Sequence, residues 1–559
     1  MAIFKAVITL NGVDITANTL GVVKVEAEES VARIARFFMV PTSGAINAGD
    51  WLGKAVTINY QTLNSAGSVL TDDRIFTGIV DVAVYDHNNI LVDFSCTDDF
   101  QNTMESLTQA QIDTLITGSN WSEAVFGEYK DGWQYLENLL DSVPKAYDIN
   151  KDGAAGTLVD WAAKVTPDYS FDVSSIINNS MSYSLAPRRE LYNSTVLTYQ
   201  YRFGRLKHRE HSFGWAVSNG IPFWTFCDVY LVDAHELPTR DMINAAAEGS
   251  GWKIQAPISY TKLPDTGLVC GNQSWGITDA LRDSLVTGAS FTAAKRWSQT
   301  ATETYTITVD APQSVAWLGS INFDEGISNS TELDADGWTD TGETPTGYRV
   351  DALGDFVIDK HDRAVSDQDI ITAISRARTE ILAAHRANWV EASILLKPEL
   401  ERFHTVELDG LMANGAELTG KGKVVHLTHE IDIDNGTAET LVRVAVSLNG
   451  GAAAGGDSAI TPPAAPLSDP IGAVPSNTTS LSTRLGNDDS VPVFDEAWDG
   501  FTGNWTAAKG TPSESQIYPR RFSVTTPDIN QDAVDAAEGS TSQTYSFDIP
   551  NETLTIVVP

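Results

Sequence analysis

Two short stretches hold residue types whose spacing could do chemistry. Asp148-Ile-Asn150-Lys-Asp152-Gly153 matches the first half of an EF-hand loop, where side-chain oxygens at alternate positions take a calcium ion. The bidentate acid needed at the twelfth position is missing, since Val159 stands there and Asp160 comes one later. A polar turn is the stronger reading, and Asp148, Asn150 and Asp152 remain a half-matched metal loop. His208-Arg-Glu-His211 resembles a zinc-protease helix only on the surface. That site needs two histidines four apart on a helix, with a glutamate beside the first. Here they are three apart in a strand pattern. His426 and His429 have opposite strand parity and make poor co-ligands. The chain has no nucleophile elbow, phosphate loop or dinucleotide fingerprint. Carboxylates are so common that two close together say nothing about glycosidase chemistry. No catalytic residue, cofactor or further metal site is assigned, and no enzyme activity is expected.

Arg202, Arg205, Lys207, His208 and Arg209 form the one basic cluster in a chain with 37 Lys and Arg against 74 Asp and Glu, a net charge of −37. The cluster reads as a solvated hairpin or as an inter-subunit contact, through forked arginine hydrogen bonds to acidic neighbours. Arg202, Arg205, Lys207 and Arg209 are the subunit-interface candidates. Nucleic-acid binders carry the opposite, basic footprint. The acidity serves solubility, or else forms a wall past which a polyanion slides without sticking. Cys96, Cys227 and Cys270 are far apart and show no CxxC spacing, so neither a zinc ribbon nor a redox motif is expected. Met1–Lys5 runs straight into a strand pattern, unlike a signal peptide. No apolar run approaches the roughly 20 residues of a membrane span. These features point to folding in a cytoplasm.

The elements that must position these residues are mostly strands. With 559 residues, roughly three to five domains are expected. Residues 1–100 read as a compact β domain with a two-residue hairpin turn at Asn11-Gly12. Phe76, Val80, Val82 and Val84 are placed on one face, with a close approach or bulge at Gly78. Residues 101–187 read as an α/β insert, with helices over Trp133–Leu140 and Leu158–Val165. Residues 188–215 are strand-rich. Residues 216–300 are irregular and aromatic, with short helices at Met242–Ala247 and Asp279–Val286. Residues 301–320 contain the alternating Thr304–Val309, and residues 321–365 read as an acidic loop region. In residues 366–449, Ser366 reads as an N-cap, Asp369 completes a capping box, and Val365 and Ile370 form a staple. Ile370, Ile374, Ala377, Ile381 and Ala384 then repeat at helical spacing. The period changes to two through Val425, Leu427, Ile431 and Ile433, and Asp434-Asn435-Gly436 turns the chain into Val442–Leu448. A lone hairpin is marginal in water, so this one needs distant partners, for which Leu191–Phe213 and Thr304–Val309 are the candidates. Residues 450–475 are a Gly/Ala/Pro linker. Residues 476–559 are too aromatic for pure disorder and form a small β domain or an arm that orders on a partner.

Several of these stretches resemble the tail hub proteins of long-tailed bacteriophages, related to the contractile-tail baseplate hub and the late-control D protein. LNGVDITANTLGVVKVEAEESVARIARFFMVP with RIFTGIVDVAVYD is similar to a first hub barrel. LVDWAAKVTPDY, LTYQYRFGRLKHREHSFGW and TETYTITVDAPQSVAWLG are similar to middle segments, and ISRARTEILAAHRANWVEASILLKPELERFHTVELDG with GKVVHLTHEIDIDNGTAETLVRVAVS to a last one. The likeness covers about residues 1 to 450 and lies in segment order and strand pattern. It implies a mainly β fold with α/β inserts: two hub-type β-barrels, the second discontinuous, plus a C-terminal extension. It also implies a homotrimeric ring in the virion tail tip or baseplate, assembled in the host bacterial cytoplasm. Such a ring adapts a six-fold tail tube to a three-fold tip and encloses the DNA ejection channel. The implied partners are distal tail and tail tube proteins, the tape measure protein, and tail-tip or fibre proteins through 451–559. Phage DNA would pass without specific binding. Two rival functions are a tail-associated cell-wall hydrolase and a carbohydrate-binding adhesin using the aromatic residues of 215–230 and 498–547.

Overall fold

Period-two alternation builds the first unit of the fold. A computed structural model describes residues 3–41, 47–153, 156–216, 239–262, 283–322, 328–333, 349–351, 354–451, 456–467, 478–480, 501–502, 521–522, 528–529, 531 and 534–558. Ala35, Phe37 and Met39 point inward from one strand, and Val92, Phe94 and Cys96 from its antiparallel neighbour. Asn11 (φ 51°) and Gly12 (φ 76°) both take the left-handed region that a two-residue hairpin turn requires. Gly78 is a close approach, because a Cβ there would lie 2.3 Å from the Thr97 carbonyl oxygen. One expectation fails nearby. A bulge between Val80 and Val82 flips the strand's parity, so Val80 is buried while Val82 and Val84 are exposed.

A second β unit has its own core, centred on Val390, Leu408, Leu418, Leu427, Val442 and Val444. Its strands come from distant parts of the chain: Tyr169–Phe171, Ser182–Ser184, Trp389–Leu395, Thr405–Leu411, Glu417–Asp432 and Thr437–Ala445. The expected hairpin is present, with Gly436 at φ 68° in its turn. Its expected partners are corrected. Leu191–Phe213 and Thr304–Val309 lie in a different sheet. The hairpin instead pairs with the first unit, His426 opposite Glu28 through Asp432 opposite Val22. Thr19–Glu28 offers a free edge there, and a bulge at Val425 turns the second half of Glu417–Asp432 towards it. One 14-stranded sheet therefore runs through both β units.

The other large sheet is built on two very long strands, Ser194–Ala216 and Val286–Asp310, antiparallel from Ser194–Asp310 to Ala216–Gly288. The Arg363–His385 helix packs on it through Ile370, Ile374, Ala377 and Ile381, against Leu197, Tyr199 and Ile307. The apolar stripe is as expected; the helix start is not. Asp362 is the N-cap, its carboxylate accepting from Val365 N at 3.3 Å, and Ser366 lies buried within the first turns.

The inserts are partly as expected. Gly132–Asp141 and Arg240–Gly249 are helices. Thr157–Asp160 is instead a strand paired with Lys145–Asp148, because Leu158 and Val159 sit opposite Tyr147 and Ala146 in a hairpin. Half of Asp279–Val286 lies outside the described residues; Asp283 and Ser284 are helical, and Val286 begins a strand. Within 321–365, Ser328–Leu333, Arg349–Val350 and Phe356–Lys360 are strands, not loop. Much of 476–536 is also outside the described residues. Its end folds back on its own chain: Ala537–Ser546 runs parallel to Ala301–Asp310, and Leu554–Val557 pairs with Glu417–Gly420.

Candidate functional site

Strand alternation puts Arg205, Lys207 and Arg209 on one side of the long Ser194–Ala216 strand, with Arg202 exposed on the other. All three meet carboxylates of their own chain. Arg205 Nε lies 2.7 Å from Asp359, which Arg349 also contacts at 2.6 Å. Lys207 Nζ lies 3.0 Å from Asp351. Arg209 forks onto Asp355 at 2.6 and 3.0 Å. The acidic partners read from the sequence are real, but for these three residues they are intramolecular. The Phe356–Lys360 strand lies antiparallel to Gly204–His208 and carries Asp359 into place, while Asp351 and Asp355 lie just before it. Burial raises the Asp359 carboxyl, but the Arg205 and Arg349 bonds outweigh it and hold it below the ordinary value.

A second buried network joins the two β units to the insert. Arg33 Nη2 lies 2.6 Å from Glu401, with both side chains nearly inaccessible. The Arg33 backbone N–H donates to Asp98 at 2.9 Å, and burial raises the Asp98 carboxyl. Arg402 pairs with Asp148 and donates to the Val31 carbonyl at 3.1 Å. This pairing removes Asp148 from the half-matched calcium loop, while Asp152 points to solvent. Among the described residues no group of three or more His, Cys, Asp or Glu is arranged to hold a metal. His208 accepts from Arg296 Nε at 2.9 Å and contacts Glu210, so it has no metal geometry with His211. His426 turns to Glu26 and His429 to Thr440, on opposite sides as parity requires.

Sequence reading missed two junctions. Asp369, expected in a capping box, instead takes hydrogen bonds from Ser122 and from the Tyr199 hydroxyl at 2.7 Å. It ties the insert, the helix and the long-strand sheet together. Ser314 Oγ donates to His385 Nε2 at 2.7 Å, the contact of a nucleophile with its base. Both residues are fully buried, and His385 Nδ1 faces the Ile381 carbonyl where a triad would have a carboxylate. The pair closes a helix-to-helix contact and cannot meet a substrate. Neither junction is signalled locally, because each joins residues far apart in the chain.

No family model matches the chain, and no curated protein matches it. Solved structures similar to it include the tail protein from Neisseria meningitidis MC58, at 8% identity and TM-score 0.34, covering 79% of this chain and 96% of that one. Prophage tail protein gp18 from Listeria monocytogenes EGD-e is similar at 10% identity and TM-score 0.31, covering 78% and 94%. A type VI secretion component of E. coli, described as similar to T4 tail proteins gp27 and gp5, has 7% identity and TM-score 0.30, covering 81% and 80%. All three are distant likenesses. No helix among the described residues is long and apolar enough to cross a membrane.

Proposed function

We propose that this chain is a structural protein of a phage tail tip, three copies of which close into a hub ring. The observation that carries the reading is the edge-to-edge pairing of Thr19–Glu28 with Glu417–Asp432. It joins two β units with separate cores in one continuous sheet. Three chains would then set six β units around an axis, matching a six-fold tube above while staying three-fold below. The likeness of residues 1–450 to hub proteins supports the same reading. The function is geometric: a closed ring, a symmetry match and a conduit. The net charge of −37 suits a lumen that repels DNA phosphates. The proposed neighbours are the tail tube and distal tail proteins, the tape measure protein, and tip or fibre proteins at 451–559, in a virion assembled in the host cytoplasm. Arg202, exposed on the long strand, remains the proposed subunit contact from the basic cluster.

No specific observation favours the rival functions. The Ser314–His385 pair is sealed in the core, and Tyr545 and Phe547 are core residues rather than a glycan platform. Trp498 and Trp505 lie outside the described residues. Native mass spectrometry of the purified chain, with and without tail tube protein, tests the proposal. A trimer or trimer-based ring is expected. A chain that stays monomeric at every concentration and never enters tails would exclude it.

A further inference from the structure

The last described stretch of the chain, residues 537–558, is held by three separate parts of the molecule. Ala537–Ser546 runs parallel to Ala301–Asp310 in the long-strand sheet. Glu552 accepts from the Ala163 amide of the insert at 2.9 Å, and from the Ser447 amide just past the second β unit's last strand at 2.8 Å. Leu554–Val557 then pairs with Glu417–Gly420 in the other large sheet. One short segment therefore closes over the insert and both sheets.

Its grip is concentrated. Ser540, Ser542, Gln543 and Thr544 are exposed, so the first part of the pairing is mostly backbone. Tyr545, Phe547 and Ile549 alternate on one face and are each no more than 2% exposed. They enter the core under the Arg363–His385 helix through a slot with two walls. One wall is the Ala301–Asp310 strand, where Phe547 N donates to the Asp310 carbonyl at 2.9 Å. The other is residues 456–467, where Ser458 N donates to the Ser546 carbonyl at 2.8 Å and the Thr461 carbonyl accepts from the Tyr545 hydroxyl. Asn449 Nδ2 donates to the Ile549 carbonyl at 2.9 Å.

The slot is built without this segment. The two long strands pair with each other from Ser194 to Ala216, and Leu197, Tyr199, Ile307, Ile370, Ile374 and Ile381 pack together between sheet and helix. The order of assembly agrees. A parallel partner cannot be reached by a tight turn, and Ala537 meets Ala301 across more of the chain than any local contact spans. Contacts so far apart in sequence carry a high closure cost and form late.

We infer that the slot is a strand-acceptor site and that residues 537–558 are its tethered ligand, a strap that leaves and re-enters as one unit while the rest of the chain stays folded. The ligand class is an extended segment with large apolar residues at alternate positions and an acid three residues after the last of them. Strand addition takes affinity from main-chain hydrogen bonds and specificity from alternate side chains, the division seen between Ala537–Thr544 and Tyr545–Ile549. Docking ties the insert to both sheets, and release frees the Ala163 contact and both sheet edges together. The inference does not rest on the assembly reading.

Native-state hydrogen exchange on the full chain, in urea below the unfolding transition, tests whether the strap is a unit. The hydrogen-bonded amides of 537–546 and 554–557 are expected to share one urea dependence, shallower than the global one, and to exchange at least tenfold faster than those of Leu197–Phe203. Opening only with the whole molecule would overturn the inference. Binding is tested separately. A protease recognition sequence is inserted after Gly510 of the full chain, the folded protein is cut, and a labelled peptide of residues 537–558 is added in large excess. The peptide is expected to enter the folded body in place of the cut fragment. A peptide carrying Tyr545→Ala and Phe547→Ala should be captured at least tenfold less. Failure of the labelled peptide to enter, equal capture of the two peptides, or unfolding of the body on cutting would each overturn the site.

Discussion

His429 has no room for a second proton. It is completely buried, its Nδ1 is 2.9 Å from the Thr440 hydroxyl, and burial pushes its pKa down to about 3. Burial also lowers His211, His361, His385 and His404. In the unfolded chain each takes a proton near pH 6.5, whereas in the fold it does so only at lower pH. Through these histidines the unfolded state binds more protons in that window, and their contribution to stability falls as pH drops below about 6.5. Asp359 adds a second loss. Its folded pKa is depressed, so its contribution is present above the unfolded value of 3.8 and lost as pH falls through the folded one. Urea midpoints between pH 7.5 and 5 should show a clear decline, which His429→Gln should flatten. An unchanged slope in that variant would remove His429 from the account. The Arg402–Asp148 pair makes a separate prediction. Breaking a buried pair from one side strands a charge, at a cost of about 3–5 kcal/mol. Asp148→Asn should cost that much, while Arg402→Met combined with Asp148→Leu should recover most of it. Equal losses in the single and double variants would mean that packing, not charge, sets the cost.

Elements were legible in the sequence to the extent that their signals are local. The Ile370–Ile381 stripe, the Asn11-Gly12 and Asn435-Gly436 turns and the Trp133–Leu140 helix are all readable, because each depends on neighbours a few residues away. What failed depends on distance or on one inserted residue. A single bulge after Val80 reversed the faces of Val82 and Val84. Ser366 reads as a cap, yet Asp362 one turn earlier takes that role and leaves Ser366 to the interior. The hairpin's need for partners was legible, but their identity was not, since Thr19–Glu28 and Thr304–Val309 offer equally good alternation. The basic cluster's need for acids was legible too, while the Arg349–Lys360 stretch that carries those acids lay hidden in a segment rich in Gly and Asp. The C-terminal segment illustrates the same limit. Tyr545, Phe547 and Ile549 complete the core under the Arg363–His385 helix, and Arg378 lies 4.8 Å over the Phe547 ring. Phe547→Ala should therefore cost about 3–5 kcal/mol, the range for deleting a buried aromatic side chain. Urea unfolding measures it. A loss under 1 kcal/mol would make the segment a surface arm rather than part of the core.

The whole molecule carries a charge of −37, and this sets how copies of it can meet. Like-charged subunits repel over a distance governed by the Debye length, about 30 Å at 0.01 M salt and 10 Å at 0.1 M. Four buried basic residues already have acidic partners within their own chain, Arg33 with Glu401, Arg205 with Asp359, Lys207 with Asp351 and Arg402 with Asp148. They are therefore spent internally and cannot offset the repulsion between copies. The proposed ring closure would then rely on shape and apolar contact working against a net electrostatic penalty. Raising salt from 0.01 to 0.15 M should strengthen self-association several-fold by sedimentation equilibrium, with the same species present at both ends. Weaker association at higher salt would show instead that intersubunit ion pairs, such as one made by Arg202, hold the copies together.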